Sequence, residues 1–221
     1  MDKTDSIDRK KGWFITIEGP EGAGKSSCAG VLVKFFESRQ MPVICTREPG
    51  GTPLAEKLRE VVKNKPDANE TIHPETELLL MEAARAQHVR EKIIPALEQG
   101  ISVICDRFTD STSAYQGGGR KMDMNNISAL NDFASGSCRP DLTILLDLPV
   151  ETGFARVAKR ASADAANDRF EAEALDFHRN VRNKFLEIAQ LDPKRVKVVN
   201  AALSREEVAR CVESIINELV H

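Results

Sequence analysis

The sequence lacks long apolar runs, a large excess of either charge and any stretch of low complexity. No apolar run approaches the roughly 18 residues that a membrane-spanning helix needs, so we expect no membrane partner. The formal net charge is −3, whereas a binder of nucleic-acid polymers usually carries a basic excess. Apolar residues make up 41% of the chain and charged residues 29%. This is the composition of an ordinary globular protein, which excludes a fibrous or disordered chain.

Cysteines are few, and none is spaced for metal binding or for a redox pair. Their number is odd, no C-x-x-C occurs, and the polar leader Met1–Lys11 lacks the apolar core of a signal peptide. We therefore expect a cytoplasmic protein whose thiols are reduced and act as small buried apolar fillers. The four histidines form no cluster that would suggest zinc. The cysteines are Cys28, Cys45, Cys105, Cys138 and Cys211.

Short apolar runs alternate with helical patterns, which predicts a doubly wound parallel α/β sheet with helices on both faces. The runs are rich in valine and isoleucine, as strands buried on both faces are. We expect a flexible lead at residues 1–11 and one domain at 12–221. The five predicted strands are Trp13–Ile17, Pro42–Cys45, Ile101–Cys105, Leu142–Leu148 and Val196–Val199. The predicted helices are Lys25–Arg39, Leu54–Lys63, Pro74–Gln99, Asn125–Ala134, Val150–Ala161, Ala172–Gln190 and Ser204–Leu219.

A complete phosphate-loop motif follows the first predicted strand and opens the first helix. In Gly19-x4-Gly24-Lys25-Ser26 the glycines let backbone N–H groups converge on an anion. Lys25 supplies a positive charge to the β- and γ-phosphates, and the Ser26 hydroxyl binds Mg²⁺. The helix that follows adds its N-terminal dipole. The predicted ATP contacts in this loop are Gly19, Pro20, Glu21, Gly22, Ala23, Gly24, Lys25, Ser26 and Ser27.

Two features decide which kind of P-loop protein this is. Asn64-Lys65-Pro66-Asp67 matches the guanine-reading N-K-x-D of GTPases, but it follows a helical pattern and no D-x-x-G accompanies it. Arg47 and Arg107 each follow a predicted strand, and the carboxyl ends of parallel strands share one edge of the sheet. Two guanidinium groups at that edge suit a phosphate that is bound bidentately. We therefore disfavour a GTPase and expect a second, phosphate-bearing ligand.

Four further motifs are spread along the chain: Thr46-Arg47-Glu48-Pro49-Gly50-Gly51-Thr52, the stretch Glu77–Arg85, Asp106-Arg107-Phe108 and Ser111-Thr112-Ser113-Ala114-Tyr115-Gln116-Gly117. In this order they resemble the thymidylate kinase family, and the resemblance covers about residues 12–220. The resemblance implies an α/β fold of the P-loop NTPase type with a small helical lid. It also implies transfer of the γ-phosphate of ATP to dTMP, a requirement for Mg²⁺, and a homodimer in the cytoplasm.

The resemblance assigns roles to individual residues of the acceptor site. It implies that Glu21 reaches the sugar 3′-hydroxyl of dTMP, that Arg85 donates to thymine O4, and that Tyr115 occupies the space of a ribose 2′-hydroxyl. Asp106 is expected near the metal with Ser26, and Thr112 and Gln116 near the thymine edge, although both are also ordinary polar helix residues. The full predicted dTMP site is Glu21, Arg47, Glu48, Pro49, Met81, Arg85, Arg107, Ser111, Thr112, Tyr115 and Gln116.

Met81 departs from the family pattern, because relatives usually have Phe at this position. On a helix its side chain shares a face with Arg85, four residues later. Met81 therefore lies either against the base or in plain core. We expect weaker binding of the thymine base than in a relative with Phe at this position, unless another ring such as Phe108 compensates.

A polar, alanine-rich segment at about 156–169 is the candidate lid over ATP, or alternatively a solvated helix face. The phosphate loop has no arginine or second lysine between Gly19 and Gly24, and family members of that kind carry the catalytic arginine in the lid. Arg160 is the first choice, followed by Arg156 and Arg169, which we also expect to bind ATP. The predicted catalytic residues are Lys25, Arg107, Arg160 and Asp106.

Two alternatives to a dTMP kinase stay open. One is another small P-loop kinase, which acts on a different nucleotide or a deoxynucleoside. The other is a nucleotide-binding module with little turnover. A panel of acceptors tested with ATP separates the three.

Overall fold

A computed structural model describes residues 11–64, 70–159, 169–170 and 172–220. Within them the chain forms five strands: β1 (Phe14–Glu18), β2 (Val43–Arg47), β3 (Ser102–Asp106), β4 (Leu142–Asp147) and β5 (Val196–Asn200). All five predicted strands are confirmed to within about two residues. Most of the predicted lead and residues 160–168 of the predicted lid, Arg160 included, lie outside the described residues, so the predicted division into lead and domain stays a prediction.

The strands form one parallel sheet in the order β2-β3-β1-β4-β5. The three inner strands are buried along nearly their whole length, whereas β2 and β5 alternate between covered and exposed positions. The prediction that every strand is buried on both faces is therefore wrong for β2 and β5. Both lie at an edge of the sheet, where a strand has one neighbour instead of two.

Each predicted helix has a counterpart among the described residues, but the helical turns at Thr109–Thr112 and Ser113–Gly119 were not predicted, and one predicted helix is interrupted. The bounds of the described helices are α1 (Lys25–Ser38), α2 (Pro53–Lys63), α3 (Pro74–His88), α4 (Ile94–Glu98), α5 (Thr109–Thr112), α6 (Met124–Ser135), α7 (Val150–Ala158), α8 (Leu175–Leu191) and α9 (Arg205–Val220). The helix predicted at Pro74–Gln99 is not uniform, because a π-helical segment, Val89–Ile93, separates α3 from α4. Pro95 lacks a backbone N–H and cannot continue the regular ladder of hydrogen bonds there.

Alternate residues of the inner strands pack into cores on opposite faces of the sheet. Ile15 and Ile17 of β1 join the core beneath α1 and α9, whereas Phe14 points into the core beneath the π-helical segment and α4. A third cluster lies under α8 and includes Leu145 and Phe185. Helices on both faces of a parallel sheet confirm the predicted fold class.

All five cysteines are free thiols, but only three are buried. Cys28, Cys105 and Cys138 fill apolar cores as expected. The expectation is wrong for Cys45 and Cys211, which are exposed because one lies on the edge strand β2 and the other on the outer face of α9. In the described parts of the chain, no helix combines the length and apolar character needed to cross a membrane.

The chain crosses from one side of β1 to the other between β3 and β4, and this positions the site. Ligands of open α/β sheets bind beyond the carboxyl ends of the strands at such a switch point. β1 ends at Glu18, before the phosphate loop, and β3 ends at Asp106, before Arg107. The strand order therefore places these two loops side by side.

Candidate active site

The phosphate loop folds as the glycine pattern predicts. Gly22 has a φ of +73°, and a Cβ built on it would lie 2.4 Å from the carbonyl oxygen of Gly153. Only glycine fits a left-handed position so close to another backbone. Gly24, with a φ of +94°, precedes α1, which begins at Lys25. The first N–H groups of α1 have no partner within the helix and are available to an anion.

Lys25 is buried at the base of this loop. Its ammonium group donates to the carbonyl oxygens of Gly19 and Pro20 at 3.2 and 3.1 Å. Burial lowers the pKa of Lys25, while the neighbouring Glu21 and Asp106 oppose that shift. The Lys25 side chain therefore lies folded against the loop where it is predicted to bind the phosphates of ATP.

Arg107 connects the phosphate loop to the next pocket. It follows β3 at a φ of +72°. One terminal nitrogen donates to the Glu21 carboxylate at 2.5 Å, and the other donates to Gly19 O and Ser111 Oγ, both at 3.2 Å. Its guanidinium carbon lies 5.0 Å from the centre of the Tyr115 ring. These contacts fix the orientation of the guanidinium group.

Glu21 is held as an anion between these cations. Burial alone would raise its pKa, but Lys25 and Arg107 outweigh burial and hold the pKa at about 2. The Tyr115 hydroxyl lies 3.4 Å from the same carboxylate. At neutral pH, Glu21 therefore offers only acceptor oxygens to a ligand beside the loop.

An open pocket lies next to the loop and contains every residue of the predicted dTMP site: Glu21, Arg47, Glu48, Pro49, Met81, Arg85, Arg107, Ser111, Thr112, Tyr115 and Gln116. Lys25 and Asp106 line it as well. The structure thus brings together side chains from the phosphate loop, the β2 and β3 loops, α3 and the turn after α5.

The sequence reasoning missed three further residues of this pocket: Arg59, Lys63 and Phe170. Arg59 and Lys63 lie four residues apart, on one face of α2, and α2 follows directly after the β2 loop. Arg59 donates to the carbonyl oxygen of Pro49 at 2.8 Å. Two cations at this spacing, on a helix directly after a loop of the site, could have been predicted from the sequence to line the pocket. No sequence pattern indicates Phe170, because its ring reaches Tyr115, at a centroid distance of 5.8 Å, only through the tertiary fold.

Arg85 occupies the deep end of the pocket and is almost fully buried. It donates to Glu48 at 2.8 Å, and to Glu82 and Asn131 at 2.7 Å each. Burial disfavours its charge, but Glu48 and Glu82 outweigh burial and raise the pKa of Arg85. Arg47, by contrast, lies at the exposed rim and pairs with Glu56 at 3.0 Å.

The turn that carries Tyr115 and Gln116 is a π-helical segment, Ser113–Gly119. It packs so closely on α8 that a Cβ built on Gly119 would lie 2.4 Å from the Phe177 ring. The glycines that end this segment therefore permit the contact. π-helical turns are frequent at functional sites.

A second cavity lies on the other side of the phosphate loop. Arg156 lines it and donates to the carbonyl oxygens of Gly22 at 3.5 Å and Ala201 at 2.9 Å. The sequence reasoning missed the wall formed by Ala201, Leu203 and Arg205, which follows β5. Phosphate-loop residues thus face two cavities, one on each side.

As a predicted ATP contact, Arg169 would be expected to line this second cavity. In the structure it does not. Its guanidinium group donates to Glu77 of α3 at 2.6 Å and to the carbonyl oxygen of Val62 at 3.2 and 3.3 Å. It precedes Phe170, which lines the first pocket. The buried carboxylate of Glu77 explains this placement, because it attracts the guanidinium group towards α3.

Ser26 and Asp106 fit a role in holding a divalent cation. Among the described residues, Asp106 has a buried carboxylate oxygen with no hydrogen-bond partner, and a buried oxygen of this kind is costly unless it is satisfied. Ser26 is exposed in the first turn of α1. No cluster of three or more His, Cys, Asp or Glu ligands occurs in the described part of the chain. The donor set suits Mg²⁺, which usually binds few protein ligands together with substrate phosphates.

A phosphate loop that faces one cavity on each side is suited to moving a phosphoryl group between two ligands. Together with the sheet order, this places the protein among the P-loop kinases.

Comparison with known proteins then identifies the family. The family model described as thymidylate kinase matches residues 17–212. The chain is 50% identical over 209 residues to the thymidylate kinase of Pseudomonas fluorescens strain Pf0-1, covering 95% of this chain and 97% of that protein. It is 48% identical to that of Pseudomonas putida strain W619, at 92% and 95% coverage. The crystal structure of thymidylate kinase from Ehrlichia chaffeensis superposes with a TM-score of 0.73 at 31% identity, covering 94% and 99%. The chain belongs to the thymidylate kinase family.

Proposed function

We propose that this protein phosphorylates dTMP to dTDP with ATP and Mg²⁺. The observation that carries the proposal is the pocket beside the phosphate loop, where Glu21, Lys25 and Arg107 meet the base-end residues Arg85 and Gln116. The relatives named above support the substrate pair. The cavity lined by Arg156 and Ala201 is the place for ATP.

The reaction needs no general base. An oxygen of the dTMP phosphate is already anionic and attacks the γ-phosphorus in line, while the bond from that phosphorus to the β-phosphate oxygen breaks to release ADP. Catalysis then consists of positioning and charge stabilisation. Lys25 and Arg107 both line the pocket beside the phosphate loop, and Arg107 also donates to Gly19 and Glu21 of that loop. Both can therefore neutralise charge on the phosphoryl group during its transfer.

Ser26 and Asp106 are the residues that would hold Mg²⁺, which when bound offsets charge on the ATP phosphates. Arg156 donates to the carbonyl oxygen of Gly22 in the loop, and Arg160 remains our proposed catalytic lid arginine. An arginine aimed at the transferred phosphoryl group is worth roughly 10³–10⁵ in rate.

The predicted homodimer and cytoplasmic location also remain proposals. Sedimentation equilibrium at micromolar concentration tests the first, with twice the chain mass as the expected result. Fractionation of cells tests the second, with the protein expected in the cytoplasmic fraction.

The decisive test is a panel of acceptors with ATP and Mg²⁺. We expect dTMP to be the best acceptor, dUMP weaker, and AMP, CMP and GMP near background. A different preferred nucleotide would indicate another small P-loop kinase. Binding of ATP and dTMP without formation of dTDP would indicate a module with little turnover.

A further inference from the structure

Glu77 is a buried carboxylate that the reaction described above does not use. It lies on α3 with no exposed surface. Its spacing of four and eight residues from Met81 and Arg85 places it on the same helical face as these two pocket residues. Glu77 does not line the pocket itself, but it contacts a residue that does.

The hydrogen bonds of Glu77 use its full accepting capacity. Oε1 accepts from Gln116 Nε2 at 2.8 Å and from Arg120 Nε at 3.1 Å. Oε2 accepts from terminal nitrogens of Arg120 at 3.0 Å and Arg169 at 2.6 Å. A carboxylate offers about four acceptor sites and no donor when ionised. The two guanidinium groups therefore hold Glu77 as an acceptor that faces Gln116.

This contact determines which way the Gln116 amide is turned. The two ends of an amide differ, because the nitrogen donates and the oxygen accepts. Since the Glu77 oxygens that face it only accept, the amide nitrogen of Gln116 must lie on the Glu77 side. Its Oε1 is then turned away from Glu77. Gln116 lines the pocket beside the phosphate loop that we propose binds dTMP, called here the acceptor pocket. The amide can therefore present this oxygen to a ligand.

We propose that Glu77 is a positioning residue that fixes the Gln116 amide with its carbonyl oxygen towards the base. This inference rests on the proposed function, since it names the feature of the base that the site selects. Thymine and uracil carry an N–H donor at ring position 3, which an amide oxygen can accept. Cytosine has an unprotonated acceptor there, so two acceptors would face each other. A buried polar group left unpaired in this way is strongly disfavoured.

The test compares Glu77→Gln with the wild-type enzyme and a matched control. With glutamine at position 77 the Gln116 amide is no longer held in one orientation. We expect KM for dTMP to rise about tenfold, the effect of weakening one hydrogen bond, while KM for ATP stays within about twofold. The kcat/KM preference for dTMP over dCMP should narrow by a similar factor. Arg85 is unchanged in both proteins, so its own contribution to base selection cancels.

The control is Glu173→Gln. Glu173 pairs with Arg120 at 2.6 Å, whereas the amide nitrogen of Gln116 donates to Glu77. This variant therefore also removes a carboxylate partner of Arg120. We expect its constants for both substrates to match those of the wild type. Thermal unfolding of both variants, and dTMP binding measured by calorimetry, show whether each is folded and binds ligand independently of turnover.

Three results would overturn the inference. One is a folded Glu77→Gln variant with unchanged KM for dTMP and an unchanged preference over dCMP. Another is a Glu77→Gln variant in which kcat falls while KM for dTMP stays the same, which would show that Glu77 does not act on the base through Gln116. The third needs no variant: wild-type enzyme that binds N3-methyl-dTMP as tightly as dTMP has no acceptor facing position 3. Wild-type enzyme that forms no dTDP would instead contradict the proposed function, and calorimetry with dTMP would still test Glu77.

Discussion

Replacing Met81 with phenylalanine should tighten dTMP binding without affecting ATP. Met81 lines the acceptor pocket and packs against the cluster that contains Tyr115 and Phe170. It lies one helical turn before Arg85, at the deep end of the pocket. Met81 is therefore part of the pocket wall and also of the core, whereas the sequence left open which of the two it belongs to.

The expected magnitude follows from what each side chain offers the base. A thioether against an aromatic face contributes roughly 0.3–1.5 kcal/mol, whereas a stacked aromatic ring contributes roughly 1–3 kcal/mol per base. The difference, about 1 kcal/mol, corresponds to about a fivefold fall in KM for dTMP. Phe108 cannot compensate for Met81, because it is 1% exposed and packs edge-on against Phe14 at 5.0 Å.

Initial rates at varied dTMP and at varied ATP measure the two KM values separately. KM for ATP should stay constant, because the second cavity lies on the other side of the phosphate loop. Leu79→Phe is the matched control: it adds a ring to the same helix at a side chain that is 56% exposed and does not line the pocket. Parallel changes in both KM values of Met81→Phe, or a fall in KM for dTMP in Leu79→Phe as well, would refute the reasoning.

Three other perturbations test the remaining parts of the site. Lys25→Ala should keep the fold and lower kcat at least about a hundredfold, because a buried cation at the phosphates is lost; folded protein with activity within tenfold of the wild type would contradict the phosphate-loop assignment. Tyr115→Ala should narrow the kcat/KM preference for dTMP over its ribonucleotide, and an unchanged ratio would remove Tyr115 from sugar selection. Burial and then Asp110 raise the pKa of Glu18 to about 8, so its stabilising contribution is complete below about pH 4.5 and is lost as pH rises through 8. Denaturant unfolding at several pH values should show a smaller loss of stability between pH 5 and 8.5 for Glu18→Gln than for the wild type, and equal losses would contradict the raised pKa.

The sequence predicted the sheet and the loops of the site because both depend on local patterns. A run such as Leu142–Asp147 is apolar enough to be a strand wherever it occurs, and parallel strands place their carboxyl ends at one edge. The β2 and β3 loops therefore had to meet: the register pairs Arg47 with Asp106. Element boundaries and the π-helical segments were less accessible, because they depend on packing against other helices.

Side-chain partners could not be predicted in the same way. His88 illustrates this: it is fully buried, with one ring nitrogen 2.7 Å from Thr46 Oγ1 and the other 3.0 Å from a Glu48 oxygen. Nothing in its spacing along the chain indicates that it supports the carboxylate that holds Arg85. Arg169 is the complementary case, since the sequence places it near a lid whereas the fold directs its side chain to Glu77. Contacts of this kind are set by which helices come together, and no periodicity encodes them.

The choice of arginine at these positions follows from the carboxylates that surround them. Arg85 donates to Glu48 and Glu82, and Arg107 donates to Glu21, so each cation is partly paired within the protein itself. A lysine ammonium group acts as a point charge with three donors on a flexible stem, so pairing it with a carboxylate would not fix the direction of its other donors. A guanidinium group has five N–H donors in a fixed plane, so a carboxylate that uses one or two of them orients the rest. The carboxylates of this pocket therefore fix the direction of the remaining donors, and a ligand pays less of the entropy cost of ordering them.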